Sequence, residues 1–215
     1  MKLVRKLRDR RWRDKLGLFV VEGEDLVEAA SGIEPVELLV AGEDVEPALL
    51  AEVSELAHPP RVIAVYRRED LPKGARAATL ALWHVADPGN VGTLIRSADA
   101  FGAGVALSSG CADPTGPKAL RASMGSVFRV PVGEFDGAAG RRIALVPRRG
   151  EPLADVDLSG DVVFVLGAER DGLPEEVLAR CDAMATIPLA PGAESLNVAM
   201  AGTIALYELA RRSSS

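Results

Sequence analysis

The feature that most constrains the fold is a repeated alternation of short apolar, β-branched runs with segments of helical period. In the second part of the chain TLALWHVA (79–86), GVALSS (104–109), RIALVP (142–147), VVFVLGAE (162–169) and ATIPLA (185–190) read as strands. Helices are expected after Asn90, Pro117, Leu173 and Glu194. Near-continuous apolar strands separated by helices fit an α/β fold, a parallel sheet covered on both faces. Such a sheet places ligands at the carboxyl ends of its strands. The first part repeats the pattern on a smaller scale, with LFVV (18–21), VELLVAG (36–42) and RVIAVY (61–66) as strands. Helical segments are GEDLVEAA (23–30) and EPALLAEVSELA (46–57). Between Arg67 and Ala77 lie basic residues, a proline and a glycine without an apolar period, which divides the chain into 1–70 and 77–215. The terminal RRSSS is expected to fray.

Only 4% of residues are aromatic, so Ala, Val, Leu and Ile must build the core. No apolar run is long enough for a membrane span, and the N-terminus is too basic and interrupted for a signal peptide, which points to a cytoplasmic protein with no membrane partner. Cys111 and Cys181 lack metal-ligand spacing, and His58 and His84 are the only histidines, so neither a zinc site, a histidine triad nor a disulfide framework is expected.

The net charge of −6 disguises a polarised molecule. Within residues 1–16 eight Lys and Arg stand against two Asp. A solvated basic helix is the bland reading. The predominance of Arg, with Trp12 as a stacking face, favours RNA contact.

Three loops carry polar residues. In HVADPGNVGTLIRSADAFGAG, Asn90 is a good N-cap for a helix running to about Phe101. Arg96 lies in that helix among apolar neighbours, as either a snorkelling surface residue or a functional group. In VVFVLGAERDGLPEEVLARC, two glycines let backbone approach a ligand, and the phosphate-loop and dinucleotide fingerprints are absent. In PLAPGAESLNVAMAGTIALYELA, Glu194 or Ser195 can cap a helix apolar on all sides, for which a homodimer interface is the simple explanation.

Together DPGNVGTLIRSADAFG, VLGAERDGLP and IPLAPGAESLNVAMAGTIALYE resemble, in order and spacing, the three signature motifs of the SpoU (TrmH-like) branch of the SPOUT RNA methyltransferases. KALRASMGSVFRVPV (118–132) is similar to the stretch between the first two motifs, and the N-terminal part resembles the family's small L30e-like substrate-binding domain. Ala168 stands where Asn is usual, and Pro174 where Ser or Thr is common.

The resemblance implies a deep C-terminal trefoil knot, S-adenosylmethionine as cofactor, a homodimer through the knot domain, and a 2′-O-methylribose product in RNA. The appended small domain tilts the substrate to ribosomal RNA, with transfer RNA as the alternative. Arg96 would be catalytic with Asn90, Glu169, Ser195 and Asn197. The cofactor would be held around Leu166, Gly167, Ile187, Leu189, Leu196 and Asn197, with no metal. RNA would meet Arg5, Arg8, Arg10, Arg11, Arg13, Lys118, Arg121 and Arg129. The rival expectations are an RNA-binding relative that has lost catalysis and a metabolic α/β enzyme with an incidental basic end.

Overall fold

A computed structural model describes residues 1–56 and 58–213. Ala57, the end of one expected helix, and Ser214 and Ser215 of the tail lie outside the described residues. The basic N-terminal run forms two helices rather than one, α1 (Lys2–Leu7) and α2 (Arg10–Leu16). Asp9 causes the break: its carboxylate accepts the Arg11 backbone N–H at 2.8 Å and starts a new helix. Gly17, with φ of 64°, ends α2 and turns the chain into β1 (Leu18–Glu22). β1 pairs antiparallel with β3 (Val62–Arg67), which pairs antiparallel with β2 (Glu37–Val40). The helices α3 (Glu24–Ala29) and α4 (Pro47–Val53) complete this layer. α4 stops short of the expected end because Ser54 turns extended, and its hydroxyl donates to Glu22 at 2.6 Å.

The second layer is a seven-stranded sheet. Its strands are β4 (Ala78–Leu82), β5 (Gly104–Leu107), β6 (Val132–Glu134), β7 (Arg141–Leu145), β8 (Glu151–Pro152), β9 (Val162–Leu166) and β10 (Ala183–Thr186). They run in the order β6-β5-β4-β9-β7-β10-β8, and every pairing is parallel. The five anticipated strands are present. β6 and β8, of three and two residues at the sheet edges, are too short to leave a period in the sequence. α5 (Pro88–Ala100), α6 (Pro117–Ser123), α7 (Glu175–Leu178) and α8 (Val198–Ser213) follow the strands. Side chains alternate across the sheet: Leu80, Leu82 and Phe164 pack with Leu94 of α5 and Leu206 of α8, whereas Ala81, Val163 and Val165 pack with Phe135 and Val177 on the other face.

Two helix starts differ from the sequence reading. Pro88 occupies the first turn of α5, so the cap falls at Asp87 rather than Asn90. At α8, Asn197 takes the capping role expected of Glu194 or Ser195, its Oδ1 accepting the N–H groups of Ala199 (2.9 Å) and Met200 (3.3 Å). Nor is α8 buried all round: Met200, Ile204 and Tyr207 are 61%, 37% and 57% exposed.

The two layers share one core. Phe19 and Tyr66 of the first meet Phe128 of the second, with ring centroids no more than 6.1 Å apart. A buried charge node also joins the two layers. Asp113, after β5, accepts from Arg13 at 2.7 Å and from Arg68 at 2.9 Å on one oxygen, and from the Thr115 hydroxyl at 2.7 Å on the other. Arg13 also donates to the carbonyls of Leu7 and Arg8. Burial pushes the Asp113 carboxyl up, but the Thr115 hydrogen bond, the Arg68 charge and the Arg13 hydrogen bond outweigh it and hold the group below the usual carboxylate range.

Candidate functional site

β4 and β9 are neighbours at the centre of the sheet, yet the chain leaves β4 for β5 on the opposite side. This is a switch point, where the loops beyond the strand tips diverge and leave a crevice. The loops after β4 and β9, and the segment between β10 and α8, all open into it.

Three side chains from these loops form a hydrogen-bonded chain. Asn90 Nδ2 donates to Glu169 Oε1 at 2.8 Å, and Asn197 Nδ2 donates to Asn90 Oδ1 at 3.0 Å. The polarity is determined from both ends, because a carboxylate only accepts and the Asn197 oxygen is committed to the α8 amides. Asp87 positions Asn90 by accepting its backbone N–H at 2.9 Å. That bond, with the Lys118 ammonium at 3.1 Å, holds the Asp87 carboxyl below its ordinary range.

The second loop is drawn tight. The Gly172 N–H donates to the Ala168 carbonyl at 3.0 Å, and a Cβ on Gly167 would lie 2.2 Å from the Gly172 carbonyl carbon. Only glycine allows this approach. Ala168, in place of the usual Asn, contributes its backbone carbonyl to that turn. Pro174 takes the cap position of the four-residue α7.

These loops enclose a cleft of about 420 Å³. Leu166, Gly167, Glu169, Ile187, Leu189, Ser195, Leu196 and Asn197 line it, with small or apolar Ala168, Ala185, Val198 and Ala201. Among the described residues, the backbones of Gly167, Ile187, Leu189 and Leu196 make no hydrogen bond within the chain. Gly167, Ile187 and Leu189 are half-buried and Leu196 is exposed, so these groups stand open along the cleft wall as donors and acceptors for a planar heterocycle.

The structure thus gathers every residue anticipated for the cofactor, together with Glu169 and Ser195, and Asn90 joins them through its hydrogen bonds. Arg96 lines neither this cleft nor its neighbour. It lies roughly 9 Å along α5 from Asn90, and its side chain is exposed and without an ion-pair or hydrogen-bond partner among the described residues.

The basic residues separate into three groups. Arg13, expected at an RNA surface, is 5% exposed and consumed by Asp113. No local signal distinguishes it from its exposed neighbours, since its partner is 100 residues away. Arg5, Arg8, Arg10, Lys118 and Arg129 are exposed but engaged, with Glu52, the Ser54 carbonyl, the Cys111 carbonyl and Asp14, Asp87, and Asp99 respectively. The Arg11 and Arg121 side chains have no partner among the described residues.

Residues 77–207 match the SpoU rRNA Methylase family, and residues 1–69 match the MRM3-like substrate binding domain. The chain belongs to the SpoU rRNA methylase family. A similar relative is the 23S rRNA (guanosine(2553)-2′-O)-methyltransferase RlmP of Bacillus subtilis, 32% identical over 95% of this chain and 93% of that protein. The AdoMet-bound rRNA methyltransferase from Sinorhizobium meliloti superposes with a TM-score of 0.86 and 30% identity, over 98% of this chain and 94% of the other. The SpoU methyltransferase AviRb from Streptomyces viridochromogenes, in complex with AdoMet, superposes with a TM-score of 0.87 and 27% identity, over 100% of this chain and 97% of the other. One element outside the three motifs also reaches the crevice. Trp83 and His84, at the tip of β4, line a second cleft on the far side of Glu169. Their family-independent signal was an aromatic pair in a chain poor in aromatics.

Proposed function

We propose that this SpoU family member transfers a methyl group from S-adenosylmethionine to a ribose 2′-hydroxyl of ribosomal RNA. The observation that carries the reading is the cleft with free backbone groups, closed on one side by the Asn197–Asn90–Glu169 chain. Its small and apolar walls suit an adenine ring, and the backbones of Gly167, Ile187, Leu189 and Leu196 suit its polar edge. Bound S-adenosylmethionine supplies an electrophilic methyl group on a sulfonium. Ser195 and Asn197 orient the polar edge of the donor, while Glu169 is fixed by Asn90 at the cleft rim. The guanidinium of Arg96 acts as a planar hydrogen-bond donor rather than as a base. It orients the ribose hydroxyl and stabilises the charge left as the proton departs to solvent or to an RNA phosphate.

The exposed apolar residues Met200, Ile204 and Tyr207 follow one another at helical spacing on α8, which supports a homodimer through this face. Arg96 borders this face, since the adjacent Ser97 hydrogen-bonds Thr203 of α8 at 2.6 Å, and we assign it to the crevice of the partner subunit in that dimer. The SPOUT knot is the threading we assign to the chain from β9 to α8. Residues 1–70 serve as the substrate-binding domain and 77–215 as the methyltransferase domain, acting in the cytoplasm. RNA phosphates meet Arg11 and Arg121 first. They compete for Arg5, Arg8, Arg10, Lys118 and Arg129, whose exposed ion pairs and hydrogen bonds are weak. Doubly neutralised R11Q/R121Q is expected to weaken RNA retention and to lower the slope of log affinity against log salt by about 2. An unchanged slope places the RNA elsewhere.

Gly167→Ala is expected to weaken S-adenosylmethionine binding by about tenfold or more, read by calorimetry, because the added methyl group displaces the loop backbone. The deciding experiment maps ribose methylation in ribosomal and transfer RNA from strains with and without the gene. Loss of a single 2′-O-methyl mark from ribosomal RNA is expected. Loss from transfer RNA, or no loss, overturns the assignment.

A further inference from the structure

We infer that the second cleft, floored by the stacked side chains of Trp83 and His84, holds a nucleobase of the RNA beside the methylated ribose. This rests on the methyltransferase reading of the neighbouring cleft.

Successive residues in extended chain point to opposite faces, so the rings of Trp83 and His84 should diverge. Instead they lie parallel, with centroids 4.6 Å apart and planes within 6°. The cause is the backbone of His84, which adopts φ of 53° and swings its imidazole back over the indole. Such a conformation is uncommon for a residue other than glycine. Two contacts hold it. The His84 N–H donates to Ser108 Oγ at 2.9 Å, and Gly110 leaves room for the ring, since a Cβ there would lie 2.5 Å from His84 Cδ2. Trp83 is buttressed edge-on by Phe135 at 5.2 Å. Much of the remaining aromatic surface of the chain is buried in the core, while His84 is exposed.

The cleft measures about 780 Å³ and shares Ala168, Glu169, Arg170 and Gly172 with the first. A nucleotide whose ribose reaches the shared wall therefore has its own base, or that of its neighbour, over the aromatic pair. The charges on the rim select a base rather than a phosphate. Asp87, Glu169, Asp171 and Glu176 face one cation, Arg170. Carboxylates repel phosphate and accept from the N–H groups on a base edge. An aromatic face stacks any base.

The test measures steady-state methylation of ribosomal RNA from a strain lacking the gene, for the wild type, Trp83→Phe, Trp83→Leu and His84→Asn. Leucine fills the space without a stacking face, and asparagine tolerates the His84 backbone. Trp83→Leu is expected to raise KM for RNA about ten- to hundredfold, with Trp83→Phe restoring most of it and His84→Asn intermediate. Affinity for S-adenosylmethionine should stay constant across the series. The ratio of KM between Trp83→Leu and wild type should persist at raised salt, as stacking does not depend on counterion release. A KM for Trp83→Leu equal to the wild type overturns the inference, as does a parallel loss of S-adenosylmethionine affinity, which would mark a packing role. Absence of methylation by the wild-type protein instead refutes the functional reading beneath it.

Discussion

Replacing Arg96 by alanine is expected to lower the rate of methyl transfer to ribosomal RNA by roughly 10²–10⁴, the range for losing one positioned proton-transfer or charge-stabilising group. The thermal midpoint should not move. Arg96 is exposed on α5 with no partner among the described residues, so truncation leaves neither a cavity nor an orphaned charge. Affinity for S-adenosylmethionine should also be unchanged, since Arg96 does not line the donor cleft. Arg96→Lys discriminates further. Lysine keeps the charge but not the planar fork, and recovery of most activity would assign Arg96 a purely electrostatic role. Near wild-type turnover in Arg96→Ala would remove it from the chemistry.

Asp113→Ala is expected to have the largest effect on stability. The substitution leaves Arg13 buried without its countercharge and releases Arg68, whose side chain is 27% exposed. Removing one partner of a buried pair costs about 3–5 kcal/mol, equivalent to a fall in melting temperature of roughly 10 °C for a chain of this size. Because the two layers share the Phe19–Tyr66–Phe128 core, the loss should appear as one shifted transition, measured by calorimetry. The difference from wild type depends on pH. The folded Asp113 carboxyl is held below its ordinary value of 3.8. Its contribution is therefore complete above that value and disappears as pH falls through the folded pKa. Melting curves should converge in acid. A variant as stable as wild type at neutral pH would show that the node contributes no net stability.

The sheet was legible because buried parallel strands read as uninterrupted Val, Leu and Ala runs, as in VVFVL of β9. The cleft was legible through its motifs: Gly167, Glu169, Ser195 and Asn197 occur at fixed places in loops flanked by clear strands and helices. What escaped the sequence has a common physical cause. Arg13 differs from Arg11 only in having Asp113 opposite it, and that partner comes from another layer of the fold. Asn90 has good capping chemistry, yet Pro88 moved the cap to Asp87 and freed the Asn90 amide to join Glu169 and Asn197. The turn at His84 is likewise settled by Ser108 and Gly110, more than twenty residues later. Local patterns foretell elements; they do not foretell which side chains meet across them.

The chain of amides and carboxylate across the crevice has a consequence for biosynthesis. Its two bonds span 79 and 107 residues. A polypeptide emerging from the ribosome can form the N-terminal sheet and most of the central strands before Asn197 has been made. It still lacks the residue that completes the hydrogen-bonded chain. On the proposed function, competence to modify RNA is therefore acquired only once Asn197 has been made and α8 docks against α5, and nascent chains without that residue lack the closed cleft.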